Sequence, residues 1–320
     1  MIHFLIISIV SFPLIFGKEI KVQEIQLSGL ITDKKQEISG MDWYKDRLFL
    51  LPENLGGFLF SISKSEILDA IVGGKKVPIT PKKTRFKTPD YSSLIKGFDG
   101  FEAIAFSEDK IYISIEAEHD GKMIAYLAWG IINSKSLEVN ISEDQILPMN
   151  TPIQLDNMSF ESLLVNNNDI IMIYEANGLN LRKDARQTVY SPENKVTSHI
   201  NFPTIEYRIT DVTRVDNYGR FWAINYFWPG DEKLLSPGKD NVLNKVKQGY
   251  SHSKSNQIER LIEFQINAGG ISISDTKPIQ LFLESDASRN WEAVARLSDK
   301  GLLIATDKHP RMILGYVQFK

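Results

Sequence analysis

One short pattern of oxygen-bearing residues recurs five times along the chain. Each copy starts with an acid or a serine, runs through a short apolar stretch, a polar turn and a second apolar stretch, and ends in an acid or an asparagine. The first and last residues lie 14 positions apart in four copies, and the fifth copy has one more residue in its turn. The copies are 39–53, 102–116, 161–175, 211–225 and 292–307.

The two ends of each copy are expected to lie side by side, because antiparallel strands joined by a tight turn bring their outer ends together. If the five hairpins surround one axis, their first residues form an inner ring and their last residues an outer ring. Carboxylates crowded in such a ring raise one another's pKa unless a cation neutralises them. The inner ring is Ser39, Glu102, Glu161, Asp211 and Glu292, and the outer ring is Glu53, Glu116, Glu175, Asn225 and Asp307.

The inner ring predicts a metal site made of oxygen ligands. Such a donor set suits Ca²⁺, with Mg²⁺ as the lesser candidate, whereas Zn²⁺ favours nitrogen or sulfur and the chain has no cysteine. Glu53, Asn225 and Asp307 are predicted to orient the inner ligands or their waters. The alternative is that these acids cap backbone N–H groups or pair with lysines, as acids near turns commonly do.

A hydrolytic site next to a bound cation needs a base and cationic groups for the developing charge. Glu116 or Glu175 is predicted to be the base. His309 is a further catalytic candidate, and Arg289, Lys308 and His119 are candidate substrate-binding residues because they stand beside the ring residues in sequence. Solvated loop positions are the alternative for these basic residues.

The elements that must position these residues are short strands. Apolar runs of four to eight residues, rich in Ile, Val, Phe and Tyr, alternate with turn residues, and the copies begin 63, 59, 50 and 81 residues apart. This interval fits a four-stranded blade, so the sequence predicts an all-β fold, a β-propeller of five blades with four antiparallel strands each. Six blades, a β-sandwich and a two-domain all-β protein are the alternatives.

The outer strands of the blades are also predicted. Third strands are expected at 58–62, 123–129, 187–190, 258–266 and 311–319, and fourth strands at 77–80, 137–141, 204–209 and 278–283. The last blade lacks a fourth strand of its own, so the segment 18–27 is expected to pair beside the C-terminal strand and close the ring.

The N-terminus indicates where the protein is located, and the net charge indicates which partners are excluded. Residues 1–17 read as a secretory signal peptide, with a buried strand or a membrane anchor as alternatives, so 18–320 is expected to be a single secreted or periplasmic domain with no stable membrane span. Lysine plus arginine number 37 against 40 for aspartate plus glutamate, a net charge of −3, which argues against a nucleic-acid partner.

Short motifs carry a resemblance to known families. The strand openings GFEAIAF, SFESLLV, TDVTRVD and NWEAVARL, with the strand ends IEAE, YEANG and ATDKHP, resemble the secreted phytase-like propellers with esterase-like activity. The ring of one serine and several acids is also similar to that of the calcium-activated nucleotidases (apyrases), five-bladed propellers with an axial calcium. Ser39, Glu102, Glu161 and Glu292 match ring ligands of that type. Asp211 departs from it, and the nucleotide-contacting loops are missing.

Two functional hypotheses follow. The first is a secreted Ca²⁺-binding propeller that hydrolyses a small-molecule ester or phosphoester at the ring end of the channel. The second is a non-catalytic propeller that binds a protein, a glycan or a small ligand, with calcium purely structural. No G-x-S-x-G, H-E-x-x-H, Walker or dinucleotide-binding motif occurs, so serine esterase, zincin, P-loop and Rossmann functions lack support.

Overall fold

A computed structural model describes residues 16–73, 77–284 and 288–319. The predicted signal peptide falls almost entirely outside these residues. The strands are β1 Glu19–Ile20, β2 Gln23–Ile25, β3 Ile38–Tyr44, β4 Arg47–Pro52, β5 Phe58–Ser63, β6 Lys82–Lys87, β7 Phe98–Ser107, β8 Lys110–His119, β9 Lys122–Ile132, β10 Val139–Asn140, β11 Ile146–Met149, β12 Ser162–Asn166, β13 Asp169–Ile173, β14 Gln187–Ser191, β15 Val196–Ile200, β16 Arg208–Val212, β17 Arg220–Phe227, β18 Ile258–Asn267, β19 Gly270–Ile273, β20 Ile279–Leu281, β21 Trp291–Leu297, β22 Gly301–Thr306 and β23 Leu314–Gln318.

The described strands include five antiparallel four-stranded units, of which the first two are joined edge to edge by parallel pairing of β6 with β10. The units are β3-β4-β5-β6, β7-β8-β9-β10, β12-β13-β14-β15, β16-β17-β18-β20 and β21-β22-β23-β2. Their innermost strands β3, β7, β12, β16 and β21 pack against one another in that order, and β21 packs against β3. A closed ring of antiparallel sheets is a β-propeller, so the predicted all-β propeller is confirmed.

The core lies between neighbouring units. Five apolar clusters fill the five interfaces between adjacent units, and each cluster contains side chains from both of the units that meet there. Leu48 and Ala293, for example, share the cluster between the first and fifth units. Because every sheet buries both faces in this way, the strands read as nearly continuous apolar runs rather than as strict alternation.

The N-terminal segment closes the ring as expected. Strand β2 pairs antiparallel with β23 and supplies the fourth strand of the fifth unit. Strand β1, just before it, pairs in parallel with β20 at the outer edge of the fourth unit. The segment therefore bridges two units and covers the exposed edges of both sheets.

Two predicted fourth strands are wrong. In the first unit the fourth strand is β6 and not 77–80, because the nine-residue helix α1 Lys64–Val72 intervenes, started by a capping box between Ser63 and Glu66. In the third unit it is β15 and not 204–209, whose last two residues already begin β16. Strand β15 is exposed along nearly its whole length, so it has no apolar pattern to recognise.

Two further α-helices are single turns, α2 Tyr91–Leu94 and α3 Glu232–Leu235. Within the described ranges, no helix has both the length and the apolar character needed to cross a bilayer.

Candidate functional site

The oxygen-bearing residues recur at the same position in each hairpin because each innermost strand contains a β-bulge there. The pairing register shifts by one residue at Ser39, at Glu102, around Asp211 and at Glu292. In the third unit Ser162 pairs with Ile173, and the Glu175 N–H donates to Ser159 O at 3.0 Å. Glu175 lies two positions after Ile173, but Ser159 lies three positions before Ser162, so the extra residue lies near Glu161. A bulge redirects its side chain out of the usual alternation, here toward the axis.

Four of the five bulge residues line one cavity at this end of the ring, which we call the acid cavity. It has a volume of about 200 Å³, and eight acidic side chains line it, with Arg208 and Lys308 as its positively charged groups among the described residues. The acidic residues are Glu37, Glu53, Asp99, Glu102, Glu116, Glu161, Glu292 and Asp307. Ser39, Asn157 and Asn290 add neutral polar groups.

Few positive charges balance the inner carboxylates. Removal from water and the repulsion of neighbouring carboxylates raise the pKa of Glu102, Glu161 and Glu292 well above its ordinary value. Burial, reinforced by nearby acids, also raises the pKa of Glu116 to about 8. Within residues 16–73, 77–284 and 288–319, no hydrogen-bond partner reaches its buried Oε2. In this cavity these acids therefore keep their protons unless a cation lies nearby.

Glu37, Glu53 and Lys308 form a chain at the rim of the acid cavity. Burial, followed by a side-chain hydrogen bond with Glu37, raises the pKa of Glu53 to about 8. Burial alone would raise the pKa of Glu37, but the hydrogen bonds from Glu53 and from Lys308 Nζ, the latter at 2.9 Å, lower it. Gly100 leaves room for Glu53, because a Cβ there would lie 2.5 Å from Glu53 Cγ.

Arg208 is the site residue that the sequence interpretation missed. Its Nη1 lies 2.6 Å from Glu175 Oε1 and its Nε lies 2.8 Å from Asp231 Oδ2, so it joins the third unit to a loop of the fourth. Glu175 lies behind Arg208 and does not line the acid cavity. The signal in the sequence was the arginine three residues before Asp211, just outside the recurrent pattern.

Asp211 is not a cavity ligand, which corrects one predicted metal residue. Its Oδ1 accepts from Val212 N at 2.8 Å and its Oδ2 from Val294 N at 2.7 Å, so it ties the fourth unit to the fifth. Asn225, predicted to support the metal, donates instead to the carbonyls of Glu206 and Arg208 and accepts from Arg260 Nε. Both residues hold the backbone around the acid cavity.

Besides Glu175, three predicted catalytic or substrate-binding residues lie outside the acid cavity. Arg289 is buried and bound to Glu259 through Nε at 2.9 Å and Nη2 at 2.7 Å, so it is a structural ion pair and is not available to substrate. His119 faces Asp120 at 3.2 Å, and the exposed His309 donates its backbone N–H to Asp307. Of the predicted basic residues only Lys308 reaches the acid cavity.

Beyond the acid cavity, an ion pair spans the ring. Arg214 of the fourth unit crosses the ring to Asp42 of the first, with Nε at 2.7 Å from Oδ1 and Nη2 at 2.8 Å from Oδ2. Asp42 also accepts from Phe106 N in the second unit at 2.7 Å.

The acid cavity fits a hard cation by its chemistry. Its donors are carboxylate oxygens, one serine and two asparagines, and Ser39 Oγ and Glu116 Oε2 are buried without a hydrogen-bond partner among the described residues. However, among the described residues no three acidic or histidine side chains are arranged to hold a metal ion directly. A cation would therefore need side-chain rotation or bridging waters.

Replacing Asp211 with alanine should lower the free energy of unfolding by about 2 kcal/mol, because two buried N–H groups lose their acceptor. Urea unfolding followed by tryptophan fluorescence measures the loss. Asp144→Ala, at an exposed loop position, is the matched control and should change stability by less than about 0.5 kcal/mol. Equal stability of the two variants would contradict a role for Asp211 in joining the units.

Comparison with known proteins gives distant likeness only. No family model matches the chain, and no curated protein matches it. Among solved structures, an exo-1,5-alpha-L-arabinanase from a bovine ruminal metagenomic library has 8% identity and a TM-score of 0.46, covering 89% of this chain and 93% of that one. The structure of YjhT has 8% identity and a TM-score of 0.40, covering 91% and 97%. The RRP9 WD40 repeats have 10% identity and a TM-score of 0.36, covering 88% and 67%. These likenesses are too distant to assign an activity.

Proposed function

We propose that this protein is a hydrolase that cleaves an ester or phosphoester bond at the acid cavity, with a divalent cation, Ca²⁺ rather than Mg²⁺, as its cofactor. The observation that carries the proposal is the cavity itself, in which eight acidic side chains face two basic ones. Such an excess of carboxylates costs free energy of folding in the absence of a cation or bound protons, and it persists where function requires it.

The residues that would hold the cation are Ser39, Glu102, Glu161 and Glu292, which come from four different units and line the same cavity. A bound cation would polarise a phosphoryl or carbonyl oxygen and would allow the surrounding carboxylates to ionise. The predicted contribution of Asp211 is not part of this proposal, because its carboxylate is engaged by backbone N–H groups.

Glu116 is the best-placed general base. It lines the acid cavity, and one of its buried oxygens has no hydrogen-bond partner among the described residues. Its pKa is about 8, and a nearby positive charge would lower this pKa toward 7, where a general base works best. Glu175 is held by Arg208 and lies behind the wall. Arg208 and Lys308 supply the positive charge that would bind an anionic group of the substrate.

The size of the acid cavity limits what can enter it. A volume of about 200 Å³ is below the roughly 300–1,000 Å³ of ordinary small-molecule sites. It suits an ion with waters or one reacting group, so the remainder of a substrate would lie across the mouth near Lys308, whose side chain is 40% exposed. The same small volume favours the second candidate function, a non-catalytic propeller whose cation only links the units.

A substrate screen separates the two functions. Phosphomonoesters, phytate, nucleotides and carboxyl esters are each incubated with Ca²⁺ and with EGTA, and product is quantified. We expect turnover that EGTA abolishes and that Glu116→Gln lowers by about 100-fold or more, since a general base contributes at least that factor. Glu118→Gln, an exposed position on the same strand, is the matched control and should retain full activity.

Two outcomes would contradict the hydrolase. Calcium-dependent stability without turnover on any of these substrates would favour the structural cation. Turnover that survives both EGTA and Glu116→Gln would place the chemistry outside the acid cavity.

A further inference from the structure

A second, larger cavity lies between the fourth and fifth units, away from the acid cavity. Its volume is about 890 Å³, within the range of sites that hold drug-sized molecules. Arg296 marks its position, because this residue stands near the β21–β22 turn, at the end of β21 opposite to Glu292. We call this cavity the basic groove, because most of the charged residues that line it are basic.

The wall of the basic groove includes apolar and aromatic side chains. Trp222 is 4% exposed and packs against Phe319 with a centroid separation of 5.6 Å. Ile20 of β1 and Ile279 of β20 line the groove at the outer edge of the fourth unit, where the two strands pair. A ligand body that packs on these side chains would be apolar, and the aromatic rings favour a ring-bearing one.

The rim of the basic groove is positively charged. Five basic residues line it against one acid, Glu263, whose Oε2 accepts a hydrogen bond from Ser274 Oγ at 2.9 Å. The basic residues are Lys18, Lys245, Lys247, Lys277 and Arg296.

The charge on this rim is only partly compensated. Lys247 and Lys277 are exposed. Arg296 binds Asp216 through Nη1 at 3.1 Å, while its Nε and Nη2 are buried with no hydrogen-bond partner in the part of the chain that the structure describes. The groove is thus positive in a chain whose net charge is −3.

We infer that the basic groove binds an organic anion, a molecule with a flat apolar body and one acidic group. The body would pack against Ile279 and Phe319, which are partly exposed, and the acidic group would face the lysines of the rim. An uncharged molecule of the same shape would gain the apolar contacts but not the Coulomb attraction, whereas a small inorganic anion would gain only the latter. This inference does not depend on any reaction at the acid cavity.

The test compares two fluorescent probes of nearly the same shape, 8-anilinonaphthalene-1-sulfonate, which is an anion, and N-phenyl-1-naphthylamine, which lacks the charge. We expect saturable binding of the sulfonate at one site, with the neutral probe about tenfold weaker. The double variant Lys247→Gln/Lys277→Gln should weaken sulfonate binding about tenfold and leave the neutral probe unchanged. Higher salt should act in the same direction on the sulfonate alone.

Two further variants locate the site. Phe319→Ala, next to the chain end, should weaken both probes because it removes part of the apolar wall. Lys34→Gln/Lys35→Gln, two exposed lysines away from the groove, should change neither. Equal affinity for the two probes, sulfonate binding unchanged by Lys247→Gln/Lys277→Gln, or no saturable binding of the sulfonate would each overturn the inference.

Discussion

Replacing Arg208 with methionine should lower the free energy of unfolding by about 3–5 kcal/mol at neutral pH. Methionine keeps the apolar stem but removes the guanidinium that lies 2.6 Å from Glu175 and 2.8 Å from Asp231. Glu175 is 1% exposed, so it would be left as a buried charge without a counter-ion. Breaking a buried pair in this way costs much more than the pair itself contributes.

Two comparisons identify the cause of the loss. Arg85→Met breaks a pair at 3.8 Å whose side chains are 62% and 45% exposed, and it should change stability by less than about 1 kcal/mol. Adding Glu175→Gln to Arg208→Met should restore part of the loss, because it removes the unpaired charge. Urea unfolding measures all three variants, and equal losses for Arg208→Met and Arg85→Met would contradict the proposed role.

The pH dependence of the same variant has a defined sign. Burial already raises the pKa of Glu175, against the opposing effect of Arg208. Without the arginine this pKa rises further, so the folded state holds a proton that the unfolded state releases above its ordinary pKa. The deficit of Arg208→Met should therefore be smaller at pH 5 than at pH 8.

The recurrent hairpins were predictable because a short-range rule produces them. A β-bulge adds one residue at a fixed distance from the turn, so Glu102 and Glu116 keep the same separation as Ser39 and Glu53. The longer turn after Leu297 accounts for the extra residue in the fifth copy, since Leu297 pairs with Gly301. Strand pairing within a unit is local in sequence, and apolar periodicity records it.

The partners of individual side chains were not predictable in the same way. Asp211 occupies the equivalent bulge, yet its carboxylate turns to Val294 N, 83 residues away, and not to the acid cavity. Arg289 stands beside a ring residue in sequence but binds Glu259 of the neighbouring unit. The partner of such a side chain depends on which groups of the adjacent unit are left unpaired, and this cannot be inferred from the sequence of a single strand.

In the absence of divalent cations, this protein should lose stability as the pH rises from 5 to 8.5. Glu53 and Glu116 have a pKa of about 8 in the folded state against an ordinary value of 4.5. Between these values the folded state binds more protons than the unfolded state, so the stability that these two groups contribute at low pH falls as the pH increases, and their effect levels off above about 8. Each such group contributes up to about 1.4 kcal/mol per pH unit.

Calcium should offset part of this loss, and its effect should be greatest where the loss is greatest. A cation in the acid cavity binds the ionised carboxylates, so protons compete with it at pH 5 and hardly at pH 8.5. At 100 times the dissociation constant the gain is about 2.7 kcal/mol. Thermal unfolding at both pH values, with EGTA, Ca²⁺ or Mg²⁺, measures it, and we expect the melting temperature in EGTA to fall by about 5 °C or more between pH 5 and 8.5.

A double variant, Glu53→Gln/Glu116→Gln, separates this cavity from the other titrating groups of the chain. It removes two carboxyl groups with a raised pKa and keeps their shape, so the fall of the melting temperature in EGTA over this interval should become smaller. Glu102, Glu161 and Glu292, whose pKa is also raised, should account for the pH dependence that remains. Glu118→Gln should retain the full pH dependence, since Glu118 is exposed. A wild-type stability in EGTA that is constant or rises with pH would show that the acids of the cavity are ionised without a cation. The charge argument for calcium would then fail, because the carboxylates would already be stabilised by the protein alone.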